Sequence, residues 1–227
     1  MRILAIDTAL AACSSAVLDT DQAVISARES LSMARGHAEA LMPLVARVLD
    51  MAKLDFFEID RIAVTTGPGS FTGLRVGISA ARGLALAAGK PAVGLSTLAA
   101  YAAPYIAADD TLPVVAAIDA RHDHVYLQVF GPGGRTLVPP RLSSLRDALR
   151  VSTGGAPRIV GTAANLLMSA WPTSERLPSA IDPRPAPDID WVARLGAAAI
   201  DTGVAPKPLY LRAPDAQPQN AAQLARK

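Results

Sequence analysis

The tightest constraint on the fold is one stretch, Gly67-Pro68-Gly69-Ser70-Phe71-Thr72-Gly73-Leu74-Arg75-Val76-Gly77, and the Ala-rich run it opens into. Before it, Ile62-Ala63-Val64-Thr65 is apolar and partly β-branched, which predicts a short buried strand. Gly67, Pro68 and Gly69 end that strand and permit backbone angles closed to other residues. Ser70 or Thr72 can then cap a helix over 72–88. Gly73, Gly77, Ala80, Ala81, Ala85 and Ala88 keep this helix thin, so other backbones can approach it on several sides. Its polar residues Arg75, Ser79 and Arg82 fall on one face. Two readings fit the turn: an anion site at a helix N-terminus, or a tight strand-to-helix turn without a ligand. No Gly-Lys-Ser/Thr follows, which excludes a Walker A loop.

The 227 residues suit one large domain or two small ones, and with 51% apolar residues they can bury a real core. A net charge of +2 with no basic block announces no nucleic-acid groove. The single cysteine, Cys13, excludes an internal disulfide and fits a reducing compartment. Leu10-Ala11-Ala12-Cys13 resembles a lipoprotein cleavage site, but Asp7 interrupts the apolar run a signal peptide needs. A cytoplasmic location is expected, and no run reaches the roughly 18 apolar residues of a membrane span.

Strands are expected at 2–6, 13–18 and 23–29, the first ending in Asp7-Thr8-Ala9. Asp7 can hold a metal–phosphate group or orient water, and it can equally be a turn former bonding nearby backbone N–H groups. A helix is expected over 37–53, with Pro43 inside its first turns. Leu41, Leu44, Val45, Val48 and Ala52 form its stripe, and Met42, Ala46, Leu49 and Met51 widen it to about two-thirds of the wheel. Such a helix has one face for its own core and a second for another part of the chain or another protein. His37 is a lone histidine at its start, suited to a cap or a surface role. A strand at 90–95, a helix from Ser96-Thr97 stopped by Pro104, and a boundary at Asp109-Asp110 follow.

The second half echoes the first. Val114-Val115-Ala116-Ala117-Ile118-Asp119-Ala120 parallels Ile3-Leu4-Ala5-Ile6-Asp7-Thr8, and the strand 125–130 parallels 13–18. Two strand–Asp–turn–strand units about 110 residues apart predict a duplicated domain. His122-Asp123-His124 reads as a polar hairpin turn, because no third metal ligand stands at a recognisable spacing. Helices are expected at 143–150, 163–171 and 190–200, a strand at 158–160, an irregular Pro-rich loop over 172–187, an edge strand at 206–212 and a disordered tail from 214.

Ile6-Asp7-Thr8, the glycine turn through Arg75, Asp119-Ala120-Arg121 with Tyr126, and Pro208-Leu209-Tyr210-Leu211-Arg212-Ala213-Pro214-Asp215-Ala216 together resemble the TsaB (YeaZ) family over most of the chain. The resemblance implies an α/β, duplicated RNase-H-like fold of the actin, sugar kinase and chaperone superfamily, with two lobes of mixed sheets flanked by helices. The lobes are expected at 1–108 and 109–213. It also implies a bacterial cytoplasmic role in making threonylcarbamoyladenosine beside the tRNA anticodon. The implied partners are a paralogous TsaD-like transferase and, in the wider system, a TsaE-like ATPase, with TsaC supplying the donor. Contact with tRNA would come only through the complex.

Shortly after the thin helix, TsaD-like enzymes carry a His-x-x-x-His metal pair, and here Thr97 and Tyr101 align with it. A hydroxyl and a phenol are poor metal ligands beside imidazole. Ala120-Arg121-His122 replaces the small residues that cradle phosphate in the superfamily's kinases. The expectation is therefore a non-catalytic partner with no catalytic residue, no metal and no cofactor of its own. ATP or ADP at the surface shared with the partner is compatible with it. The expected interface is His37, Leu41, Leu44, Val45, Val48 and Leu49 on the first helix, with Gly73, Val76, Gly77, Ala80 and Leu84 on the thin one. Alone, that surface would pair with itself as a homodimer. The alternative is a small ATPase or kinase using Asp7, Thr8 and the Gly67–Gly73 turn. A peptidase ranks last, since no Ser-His-Asp or zinc motif supports it.

Overall fold

The computed structural model describes residues 1–212. The tail expected to be disordered from 214 lies outside the described residues. The chain runs β1 (Arg2–Asp7), β2 (Ala12–Asp19), β3 (Val24–Ser32), α1 (His37–Ala52), β4 (Arg61–Gly67), α2 (Phe71–Ala88), β5 (Ala92–Ser96) and α3 (Thr97–Ala108). It continues β6 (Val114–Asp119), β7 (His124–Phe130), β8 (Thr136–Ser144), α4 (Leu145–Ser152), β9 (Arg158–Val160), α5 (Ala164–Ser169), β10 (Ala180–Asp182) and α6 (Ile189–Ala198).

The duplication is visible in the sheet topology. One sheet has the order β3-β2-β1-β4-β5 and the other β8-β7-β6-β9-β10. In each, the first three strands are antiparallel neighbours, and the fourth and fifth run parallel to the first. This is the RNase-H-like order, twice, and it gives the two-lobed α/β architecture.

Strand periodicity of two assigns the faces. Leu4, Ile6, Cys13, Val17, Ile62 and Val64 turn to one face of the first sheet and form a core with α1 and α2. Ile3, Ala5, Ala16, Leu18 and Ala63 turn to the other face and meet α6. In the second sheet, Val115 and Ala117 face α4 and α5, while Val114, Ala116 and Ile118 face α3. Each half therefore lends a helix to the other's architecture. The α3 helix of the first half covers the second sheet, α6 of the second half covers the first, and the two helices touch between them.

Two arginines fasten this exchange. Arg61, the first residue of β4, donates from Nη1 to the carbonyls of Gly196, Ala197 and Ala199 at the end of α6. Arg158, the first residue of β9, donates to the carbonyls of Tyr105, Asp109 and Leu112 at the end of α3. Carbonyls at and just beyond a helix end have few intrahelical partners, and each guanidinium supplies donors to them; Tyr105 O also accepts the Asp109 N–H.

Several local expectations change. The third helix does not stop at Pro104 but runs on to Ala108. Losing one N–H there is offset by burial of Tyr101, Ala102 and Ala103 against the second sheet. A strand unforeseen in the sequence, β8, holds Pro139 and Pro140, which an edge strand tolerates. Another, β10, rises within the Pro-rich 172–187 stretch. The 206–212 segment forms no regular strand; its Leu209 N–H bonds the carbonyl of Thr66.

Candidate functional site

The end of β1 carries the residues singled out by chemistry. Asp7 and Thr8 are fully buried. Asp7 Oδ1 accepts the Ala9 N–H and the Thr65 hydroxyl, while Oδ2 has no partner among the described residues. Burial pushes the Asp7 carboxyl above its usual range, and the Thr65 bond only partly opposes this. Thr8 donates its hydroxyl to the Gly73 carbonyl at 2.7 Å.

The glycine turn is shaped by this close approach. A Cβ on Gly73 would stand 2.1 Å from the Thr8 carbonyl oxygen, one on Gly77 2.4 Å from the Thr8 hydroxyl, and one on Gly69 2.4 Å from the Ala9 carbonyl. The turn therefore closes down on the β1 end as a roof. Ser70 caps α2 by accepting the Gly73 N–H. The thin helix does admit another backbone, and that backbone is the chain's own. Gly67 and Pro68 are joined by a cis peptide bond.

The two positions aligned with metal ligands do not offer a metal site. Thr97 is fully buried and its hydroxyl has no partner among the described residues. The Tyr101 phenol donates to the carbonyl of Arg184, and burial pushes it far above the ordinary phenol range, so it stays protonated. Among the described residues no three His, Cys, Asp or Glu side chains gather as a metal site.

A second feature lies beside the first. A cleft of ≈ 450 Å³ is lined by Leu10 after β1, by Gly69, Ser70 and Phe71 of the glycine turn, and by Ile118, Asp119, Ala120, Arg121, His122 and Tyr126 of the second sheet; Arg212 completes it. Neither Asp7 nor Thr8 reaches this lining. The 206–212 segment crosses its rim: Tyr210 stacks on Phe71, Arg75 lies over Phe71 and donates to the Tyr210 hydroxyl, and Arg212 donates to the Ala120 carbonyl.

A sequence model of the family described as TsaD, tRNA N6-adenosine threonylcarbamoyltransferase, matches residues 30–181. An uncharacterized protein of Mycobacterium tuberculosis is 36% identical over 218 residues, covering 95% of this chain and 94% of that one. The tRNA threonylcarbamoyladenosine biosynthesis protein TsaB of Escherichia coli is 42% identical over 126 residues, 56% of this chain and 53% of that protein. The solved structure of YeaZ from Pseudomonas aeruginosa superposes with a TM-score of 0.78 at 30% identity, covering 92% of this chain and 99% of that one. The chain belongs to the TsaB (YeaZ) family.

Within this YeaZ fold the expected interface needs correction. His37, Leu41, Leu44, Val45, Val48 and Leu49 are buried in the chain's own core beneath α1. The His37 ring bonds the Leu10 carbonyl at 3.0 Å rather than meeting a partner. Gly73 and Gly77 face the β1 turn. Val76, Ala80 and Leu84 are half-buried at the edge of that core. An apolar arc two-thirds of the wheel wide does not say which third faces inward, and the side chains expected to dock are the ones that fill the core. The outward part of the arc is Met42, Pro43, Ala46 and Met51, with the two methionines 48% and 51% exposed.

Proposed function

We propose that the chain acts in threonylcarbamoyladenosine modification of tRNA as a non-catalytic partner of a TsaD-like transferase. The observation that carries this is the outer face of α1. It exposes Met42, Pro43 and Ala46, with Met51 on its far flank, beside Glu39, Arg47 and Asp50, over a helix whose opposite face already fills the core. Beside it, α2 offers the half-buried Val76, Ala80 and Leu84 and the open Gly83. Two helices side by side, α2 rich in small residues, suit packing against the equivalent pair of a paralogue. The likeness to TsaB of Escherichia coli supports the pathway, and the match to the TsaD family model supports the paralogy.

The non-catalytic part rests on chemistry. The Asp7 carboxylate is roofed over, and the residues in the ligand positions are a buried threonine and a protonated phenol. The alternative of an ATPase using Asp7 and the glycine turn requires access that Gly69 and Gly73 deny. On this reading the complex forms in the cytoplasm, draws on a TsaE-like ATPase, meets tRNA through the assembled proteins and accommodates ATP or ADP at the joint surface. The free chain pairs with itself through the same helices.

The test places two substitutions on the outer face of α1. Met42→Asp with Ala46→Asp keeps the far-ultraviolet circular dichroism of the folded chain and abolishes co-purification with the transferase. Retained co-purification overturns the docking face. Depletion of the protein lowers threonylcarbamoyladenosine in hydrolysed tRNA, measured by mass spectrometry; an unchanged level overturns the pathway assignment.

A further inference from the structure

We infer that the outer border of the second lobe, β8 with α4, contacts the phosphate backbone of tRNA in the assembled complex through Arg135, Arg141, Arg146 and Arg150. This rests on the reading above and adds a surface that the docking helices leave unused.

Charge and its placement come first. Residues 135–150 carry four arginines and one aspartate, a net +3 in a chain whose total is +2. Spaced four to six residues apart, the arginines make no basic block in the sequence. Strand and helix gather them. β8 is an outer strand of its sheet. Arg141 pairs with Leu127, which faces α4, so its side chain lies on the α4 side. Arg146 and Arg150 stand one turn apart on α4 and line one groove. In the first lobe Arg2, Arg28, Arg47 and Arg61 are each held by a carboxylate or a carbonyl, and Arg75 donates to Tyr210. Arg135, Arg141 and Arg146 instead stand exposed, with no side-chain hydrogen bond or ion pair to any described residue. Arg150 meets Asp147 at 2.9 Å on an exposed surface, where salt or a competing phosphate opens such a pair. Asp110 borders the loop before Arg135, and Asp123 the groove at Arg146; neither pairs with an arginine of the row among the described residues.

The shape of the row says what it meets. A strand rises about 3.3 Å per residue, so Arg135 and Arg141 stand about 20 Å apart along β8. A row that long suits a polymer of phosphates and exceeds any single small anion. Guanidinium forks match phosphate oxygens in parallel bonds. Residues 135–150 include no aromatic side chain on which a base could stack, so the contact positions the backbone and reads no sequence. A lipid surface fits less well. Leu137 is the one large apolar side chain exposed on this stretch, and interfacial binding needs an apolar face to bury. The pathway proposed above makes the polyanion tRNA.

The test reconstitutes the chain with the transferase and titrates an unmodified tRNA transcript by fluorescence anisotropy across a salt series. Arg141→Gln with Arg146→Gln keeps the circular dichroism and the co-purification of the parent. It weakens tRNA binding about tenfold or more and flattens the slope of log affinity against log salt by about two, as loss of two phosphate contacts requires. Arg141→Lys with Arg146→Lys retains most of the affinity. The control pair Arg35→Gln with Lys207→Gln, exposed elsewhere on the molecule, leaves it unchanged. A second tRNA of different sequence shows the same loss. The inference is overturned by unchanged tRNA affinity in the Arg141 and Arg146 pair, by an equal loss in the control pair, or by a loss confined to one tRNA. Lost co-purification in the Arg141 and Arg146 pair overturns it too, since the row would then meet the transferase. So does arginine-dependent binding to vesicles of equimolar phosphatidylglycerol and phosphatidylcholine with none to tRNA, in favour of a membrane. If the parent chain and the transferase fail to associate, the docking reading falls instead. The same titration on the chain alone then decides this inference, with the same variants and the same outcomes.

Discussion

The two repeats share a strand order and end their first strands in the same residue, yet Asp7 is fully buried and Asp119 is exposed. The local turn is alike: Asp7 Oδ1 accepts the N–H of Ala9, and Asp119 Oδ1 that of Arg121, each two residues on. What differs is the fourth strand. In the first repeat β4 runs seven residues, passes the level of Asp7 and sends the Thr65 hydroxyl to it. The glycine turn and α2 then close over the top. In the second repeat β9 has three residues and stops with Val160 opposite Ala116. The chain turns at Gly161, where a Cβ would stand 2.3 Å from the Ala117 carbonyl, and α5 has only six residues. No roof forms, and the Asp119 end stays open as a cleft wall. Burial at one strand end and access at the other thus follow from four residues of strand and the helix after it.

The sharpest way to break this comparison is to lift the roof. Gly73→Val places side-chain atoms where 2.1 Å already separates a Cβ from the Thr8 carbonyl. Since the neighbour is backbone and cannot step aside, a loss of about 3 kcal/mol or more is expected in urea unfolding. Gly83→Ala on the same helix meets nothing within 4 Å and should gain up to about 1 kcal/mol. Equal losses at the two sites would mean that α2 dislikes side chains generally, and that close approach is not the cause.

The arginine clamps test whether the two exchanges of helices are equally important. Arg158 is 7% exposed and uses both terminal nitrogens on its three carbonyls, whereas Arg61 is less buried and uses one. Arg158→Met should cost about 3 kcal/mol and Arg61→Met about 2, because the stranded carbonyls are drier around Arg158. The reverse order, read by the same unfolding curves, would make α6 the tighter of the two helices.

Much of this was legible in the sequence, and the misses have physical causes. Continuous apolar runs ending in Asp gave β1 and β6, and the repeat they form gave the duplicated fold. The paired run Arg61-Ile62-Ala63-Val64 and Arg158-Ile159-Val160 is a further echo that could have flagged the clamps. Pro139-Pro140 hid β8, since proline breaks an inner strand but not an edge. The inward phase of α1 was hidden because Leu44 and Met42 are equally apolar, and only β2 beneath the helix decides between them. The close approach to Thr8 was anticipated as a property of the thin helix, but its target was not, because small residues do not name what they admit. Arg121 and Arg212 lie 91 positions apart, and no periodicity joins them.

The smallest expected effect is also the most diagnostic of the roof. Desolvation raises the Asp7 pKa in the folded state above its unfolded value of about 3.9. Over the interval between those two values the folded chain holds a proton that the unfolded chain has released, so stability falls as pH rises through it and levels off above the folded pKa. Asp7→Asn keeps an oxygen for the Ala9 N–H and the Thr65 hydroxyl but removes the titration. Its stability relative to the parent should therefore climb with pH across that interval and then plateau. Asp119→Asn, at the exposed strand end, should shift stability by less than about 0.5 kcal/mol at every pH. Parallel pH profiles for parent and Asp7→Asn would mean that water reaches the first strand end after all, and the contrast between the repeats would lose its electrostatic half.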